Sequence, residues 1–170
     1  MEIDGTQLNE GRVYVIAEAG VNHDGDPNIA KKLIEVAANA GADAVKFQTF
    51  DADRLVTGDG EKAEYAIETT DENESQRDML RRYELSDEDH YSLKEHCERH
   101  GITFLSTPFD SESADLLDDL DTSAIKLGSG ELTNKPLLEH IAGFGRPMIV
   151  STGMATMAEI RDARGWIEAV

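Results

Sequence analysis

The chain has 170 residues, with 35 Asp and Glu against 16 Lys and Arg, giving a formal net charge of −19. That length can bury a real core, while the charge excludes nucleic acids and anionic membranes, which would repel it before any contact formed. Small anionic ligands remain allowed, provided that a few cations are gathered locally.

In chain order, VYVIAEA (13–19) is a β-branched run that predicts a first strand ending at Gly20. PNIAKKLIEVAANAGA predicts a helix with Ile29, Leu33, Val36, Ala37 and Ala40 on one face, Pro27 just ahead and Gly41 as its stop. ADAVKFQTF (42–50) is the second strand. The stretch 51–84 is a long polar insertion, acidic at DENES, with a short helix expected at SQRDMLRRYEL; such insertions cover or line sites. LSDEDHYSLKEHCERHG (85–101) predicts a helix with Ser86 and Asp89 in capping-box spacing and Gly101 as terminator. ITFLSTP (102–108) leads into the helix SESADLLDDL, AIKLGS (124–129) into NKPLLEHIAGFG, and PMIVST (147–152) into MATMAEIRDARGWIEAV.

This is a βα unit repeated five times, with connections that suit parallel neighbours and right-handed crossovers. Two architectures follow: an open doubly wound sheet, or part of an eight-fold βα barrel, which typically needs about 250 residues. The first turn reads EAGVNHDGD, whose glycines are misplaced for a dinucleotide fingerprint. No apolar run approaches the roughly 18–20 residues that span a bilayer, and MEIDGTQLNEGR does not read as a signal peptide. A single cysteine, Cys97, cannot form an intrachain disulfide, which favours the cytoplasm. Acidic residues spread along the whole chain suggest halophilic salt adaptation rather than an acidic tail.

Each strand ends in residues able to do chemistry. The first gives Glu18; the second gives Lys46 and Gln48, two apart and so on one face. The third gives Ser106 and Thr107, the fourth Lys126, Ser129 and Glu131, and the fifth Ser151 and Thr152. In parallel βα folds these ends form one surface where ligands bind. Two lysines, several hydroxyls and glycine-flanked amides there make an anion pocket, most simply for a phosphate. Taken singly, either lysine could snorkel to solvent, and Ser151 or Thr152 could cap the next helix. Glu18, between two alanines in an apolar strand, is costly there unless it serves something.

The histidines carry less. His96 and His100 have the i, i+4 spacing of a metal pair, but on a charged helix face that reads as solvated. His90 and His140 read as surface residues. His23, in the NHDG turn, either hydrogen-bonds its loop or takes part in catalysis. Cys97 reads as a small buried hydrophobe.

IAEAGVNHDGD, AVKFQTF, ESQRDMLRRYELS, FLSTPFD, IKLGSGELTN and IVSTGMAT occur in order, from about residue 12 to about 160. Together they closely resemble the sialic acid synthase family, the N-acetylneuraminate synthases and their legionaminate and pseudaminate relatives. The resemblance implies a (β/α)8 barrel followed by a small antifreeze-like domain, acting as a homodimer. It implies condensation of phosphoenolpyruvate with an N-acyl hexosamine to give a nine-carbon 2-keto acid sugar and phosphate. On that resemblance Lys46, Thr107, Lys126, Ser129 and Ser151 match phosphoenolpyruvate ligands. Gln48 and Glu131 match sugar ligands, and Glu18 matches the catalytic carboxylate that positions or deprotonates water.

The family's divalent metal, Mn²⁺ or Mg²⁺, would polarise the aldehyde as a Lewis acid. Its histidine ligands come from later strands that this chain does not contain. The expectation is therefore an N-terminal portion with about five βα units, unpaired edges at the first and fifth strands, and little activity alone. Two other classes stay open: another phosphoenolpyruvate-condensing synthase or a Schiff-base aldolase on the same barrel, or a non-catalytic fragment serving in folding or subunit association.

Overall fold

The computed structural model describes residues 2–9, 11–56 and 75–170. The chain opens with a hairpin of β1 (Glu2–Ile3) and β2 (Thr6–Gln7), turned by Asp4 and Gly5 at φ 48° and 71°. An Asp-Gly pair is the two-residue signal for such a turn; the βα reading of the sequence passed over it.

The βα repeat follows as expected. Strand β3 (Ile16–Gly20) leads to α1 (Pro27–Asn39), β4 (Ala44–Thr49) to the insertion, and β5 (Thr103–Pro108) to α5 (Ser111–Asp119). Strand β6 (Ile125–Leu127) leads through a short 3₁₀ turn to α6 (Lys135–Ala142), and β7 (Met148–Val150) to α7 (Met157–Glu168). The insertion contains α2 (Ala52–Leu55) and the anticipated helix, α3 (Gln76–Tyr83), before α4 (Asp87–His100). Most of DENES lies outside the described residues. Helix α4 has the expected capping box, Ser86 with Asp89, and closes on the left-handed Gly101.

All ladders among β3–β7 are parallel: β3-β4-β5 form one and β6-β7 another, with β6 lying against β5. Register pairs Glu18 with Lys46, Gln48 with Thr107, and Lys126 with Ile149. Side chains alternate between two faces. On one, Val45, Phe47, Phe104, Ile125 and Leu127 pack under the helices, against Ala30, Ile34, Leu93, Leu117 and Leu138. On the other, Ala44, Leu105 and Ala124 meet Ile3, with Ile16 and Ile149 beside them.

The hairpin is therefore a plug. It drives Ile3, fully buried, into the end of the sheet where the strands begin, and Thr103 Oγ1 donates to the Asp4 carboxylate at 2.8 Å. The lower inner face is thereby apolar and filled, leaving the upper half for polar side chains.

Two expectations are corrected. The first strand begins at Ile16, not Val13; Val13 is 81% exposed and Val15 50%, and only the Val15 carbonyl, which accepts from the Asp43 and Ala44 amides, carries the pairing further back. On α1 the buried residues are Ala30, Ile34 and Ala37, while Ile29 and Val36 are exposed. Of the expected face, Ala37 is buried and Leu33 packs against the core while Ala40 is exposed, so the buried stripe is turned from that face towards Ala30 and Ile34.

Candidate active site

The inner face turns polar one residue pair above the plug. Lys46 follows Ala44 by two and Lys126 follows Ala124 by two, so each lysine stands directly above a buried alanine. Lys46 Nζ is 2.8 Å from Glu18 Oε2 and donates to Thr107 Oγ1 at 3.2 Å. Its side chain is only 11% exposed, so it does not snorkel away. Lys126 Nζ donates to Ser151 Oγ and to the Leu127 carbonyl, both at 2.7 Å. Burial lowers the Lys126 pKa, the nearby Lys46 charge adds to that, and Glu18 opposes it. The two ammonium groups and one carboxylate thus share one field.

Glu18 owes its reach to its neighbour. Gly20 has φ +54°, and a Cβ there would stand 3.0 Å from Glu18 Oε1 and 3.7 Å from Gln48 Nε2. A side chain at this position would be strained and would displace the carboxylate. Ser129 is exposed at the start of the 3₁₀ turn, with its Oγ beside Gly153. Glu131 is half-buried and accepts from Asn134 Nδ2 at 2.7 Å. Ser151 binds Lys126 rather than capping a helix; the cap of α7 is Thr156.

Ser106 leaves the group. It is fully buried on the opposite face, bonded to Thr49 Oγ1 at 2.7 Å, and Thr49 also meets His90 Nε2 at 3.0 Å. His90 is therefore no surface residue: it is 2% exposed, and its Nδ1 donates to the Ser86 carbonyl at 2.9 Å. The helix start suggested solvent, but the underside of α4 lies on β4 and β5. His23 is 1% exposed and accepts from the Gly25 amide at 3.1 Å, which is the loop-bonding role. Burial lowers the pKa of both histidines. His140 is exposed, as expected, and meets Asp115 at 2.7 Å. Cys97 is 1% exposed, and burial pushes its thiol up to about 12, so it is a core residue and inert.

The described ends of the insertion are fastened over the first turn. A Cβ on Gly25 would stand 2.1 Å from the Arg82 carbonyl oxygen, at φ +74°; backbone meets backbone there and only glycine fits. Arg81 grips Asp53 at 2.7 Å, and the Glu84 carboxylate accepts from the Ala52 amide. Sequence reasoning missed this clasp, although NHDG marked the turn. A cleft of about 700 Å³ between α3 and the starts of α4 and α5 holds Arg54 and Arg81, but these are ion-paired with Asp110 at 3.2 Å and Asp53 at 2.7 Å.

The strand ends thus offer two ammonium groups and hydroxyl donors beside one carboxylate, a donor set that suits a small anion. They do not compose a divalent-metal centre: the carboxylates are Glu18, paired to Lys46, and Glu131, bonded to Asn134, with no imidazole among the described strand-end residues.

The model of the NeuB family matches residues 33–170. This chain belongs to that family. It is 49% identical over 152 residues to the N,N'-diacetyllegionaminic acid synthase of Campylobacter jejuni, covering 89% of this chain and 46% of that protein. It is 51% identical over 150 residues to the enzyme of the same name from Legionella pneumophila, covering 88% of this chain and 42% of that one. Among solved structures, the spore coat polysaccharide biosynthesis protein SpsE of Bacillus subtilis superposes with a TM-score of 0.79 at 37% identity, over 99% of this chain and 44% of that one. This NeuB-family chain thus spans less than half the length of the curated relatives it matches, and its architecture is their (β/α)-barrel type, incomplete over 170 residues.

Proposed function

We propose that this chain carries the phosphoenolpyruvate side of a synthase that joins phosphoenolpyruvate to an N-acyl hexosamine, giving a nine-carbon 2-keto acid sugar and phosphate. The observation that carries the reading is the pairing of Lys46 with Thr107 and of Lys126 with Ser151 beside Glu18. These are two cations held by hydroxyls at one mouth of a chain with charge −19. The family, and relatives named as legionaminic acid synthases, support it.

On this reading Lys46 and Lys126 hold the phosphate and carboxylate, with Thr107, Ser129 and Ser151 as hydroxyl donors. Gln48 and Glu131 face the amino sugar. C3 of phosphoenolpyruvate bonds to the aldehyde carbon as the carbonyl π pair passes to its oxygen, which takes up the proton released by the water added next, and positive charge develops at C2. Water adds to C2, positioned or deprotonated by Glu18, and phosphate leaves with C–O cleavage. The lysines stabilise the departing dianion, and preorganised charge of this kind is usually the largest contribution to such a step. The whole protein is, on the same reading, a cytoplasmic homodimer, and this portion alone has little activity.

Titration calorimetry of phosphoenolpyruvate into this chain at high salt tests the binding half; absence of heat sinks it. For the reaction, the longer protein is assayed for phosphoenolpyruvate-dependent phosphate release with several N-acyl hexosamines and Mn²⁺ or Mg²⁺, and no consumption overturns it. One observation favours a second reading. The lowered pKa of Lys126 suits a Schiff-base amine, and borohydride trapping with a keto substrate would label Lys126 if that were its chemistry.

A further inference from the structure

A second group of side chains lies on the outer helical layer, unused by the strand ends. Glu35 is in the third turn of α1; His96 and His100 are one turn apart near the end of α4, which packs on α1. A helix in a βα repeat runs antiparallel to its strands, so the end of α4 lies where β5 begins, at the opposite end of the sheet from Lys46 and Lys126.

His96 Nε2 is 3.2 Å from Glu35 Oε1, and the two imidazole centroids are 4.3 Å apart. One ligand atom from each of the three residues lies within 4.8 Å of the others. Donors around a tetrahedral ion at about 2.0–2.1 Å stand roughly 3.3 Å apart, a closure that rotation of the exposed His100 ring and the half-exposed Glu35 supplies.

The tautomers fit. His100 Nδ1 lies 2.8 Å from the His96 carbonyl oxygen; a carbonyl only accepts, so Nδ1 carries the proton and Nε2 presents a lone pair. A backbone partner on the far nitrogen is what orients metal-ligating histidines. His96 Nδ1 faces the Arg99 guanidinium at 3.4 Å, which only donates, so the metal-free ring gives its Nε2 proton to Glu35. Ligation through Nε2 moves that proton to Nδ1, and the 57%-exposed Arg99 side chain turns aside towards Glu95.

We propose that Glu35, His96 and His100 bind one divalent ion of the zinc class and so clamp α1 to α4. Two imidazoles and a carboxylate suit Zn²⁺, Ni²⁺ or Cu²⁺ over Mg²⁺, and three protein ligands leave one position for water. The acidic surface attracts any divalent cation, so selectivity and residue dependence decide the matter.

The test is titration of ZnCl₂ into chelator-treated protein, with MgCl₂ as control, for the wild type and for H96A, H100A and E35Q. One saturable Zn²⁺ equivalent is expected, with at least about tenfold weaker binding in H96A and H100A, and a melting temperature raised by Zn²⁺ only where the three residues are intact. His100 is exposed, so H100A keeps the fold, and its own melting curve without metal verifies that. By NMR, sub-stoichiometric Ni²⁺ should broaden the His96 and His100 ring signals and spare those of His23 and His90. Zn²⁺ bound equally tightly by H96A and H100A, or no saturable binding, overturns the proposal.

Discussion

Replacing Lys126 by Met separates the function of the strand-end cations from their cost. Lys126 is half-buried, bonded to Ser151 and to the Leu127 carbonyl, and close enough to Lys46 for the two charges to repel. A hydrogen bond to a charged partner is worth about 1.5–3 kcal/mol, and about 1.4 kcal/mol is tenfold in affinity. Phosphoenolpyruvate binding by Lys126→Met should therefore weaken by about 10- to 150-fold in titration calorimetry. Stability should not fall with it. The folded-state pKa of Lys126 is lowered, so below its folded value the protonated amine destabilises the fold, and that cost is relieved as pH rises from the folded value towards the ordinary lysine value of about 10.4. Methionine of similar length removes the buried charge altogether, leaving only Ser151 Oγ and a carbonyl to find water. Thermal melts should place the variant level with or above the parent at neutral pH. Unchanged phosphoenolpyruvate affinity in a folded variant would refute the assignment of the anion to these strand ends.

Acid should weaken the fold through His23 and His90, both neutral and buried with lowered pKa values. Above about pH 6.5 neither state is protonated and stability is flat with respect to these groups. Below it the unfolded chain takes up protons first, so stability drops by up to about 1.4 kcal/mol per pH unit for each histidine until its folded value is reached; melts from pH 7 to pH 5 that show no fall would contradict this. Gly25→Ala adds a Cβ 2.1 Å from the Arg82 carbonyl oxygen at positive φ. The left-handed penalty and the clash together cost about 2–5 kcal/mol, lowering the melting temperature by roughly 5–15 °C, whereas Gly165→Ala, in α7 with open space around it, should do no harm. The charge of −19 gives a salt dependence: screening shortens from about 10 Å at 0.1 M to about 3 Å at 1 M. Circular dichroism should show the folded signal weakening on dilution into low salt, and a salt-independent melt would remove the halophile reading.

Period and punctuation determined much of this protein from the sequence. Five apolar runs separated by capped amphipathic segments leave a parallel βα repeat as the arrangement that buries them, and Ser86, Asp89 and Gly101 fixed both ends of α4. The site was legible for the same reason: side chains two apart share a face, so Lys46 with Gln48 fell together before any contact was known. The ordered motifs carried the family, and through it the roles proposed for Ser129, Glu131 and Glu18. Tertiary structure decided what depends on which surface each element meets. His90 lies at a helix start and reads as exposed, yet α4 buries it against Thr49. Ser106 and Thr107 are adjacent and equally polar, and only the pleat sends one under the helices and the other to Lys46. The Asp4–Gly5 hairpin spans too few residues to show a period, but its Ile3 fills the lower inner face. Glu35, 61 residues from His96, meets it only because α1 and α4 cover neighbouring strands. Local sequence sets the conformation of each element; burial and partnership belong to pairs of elements, and those exist only once the sheet has closed them together.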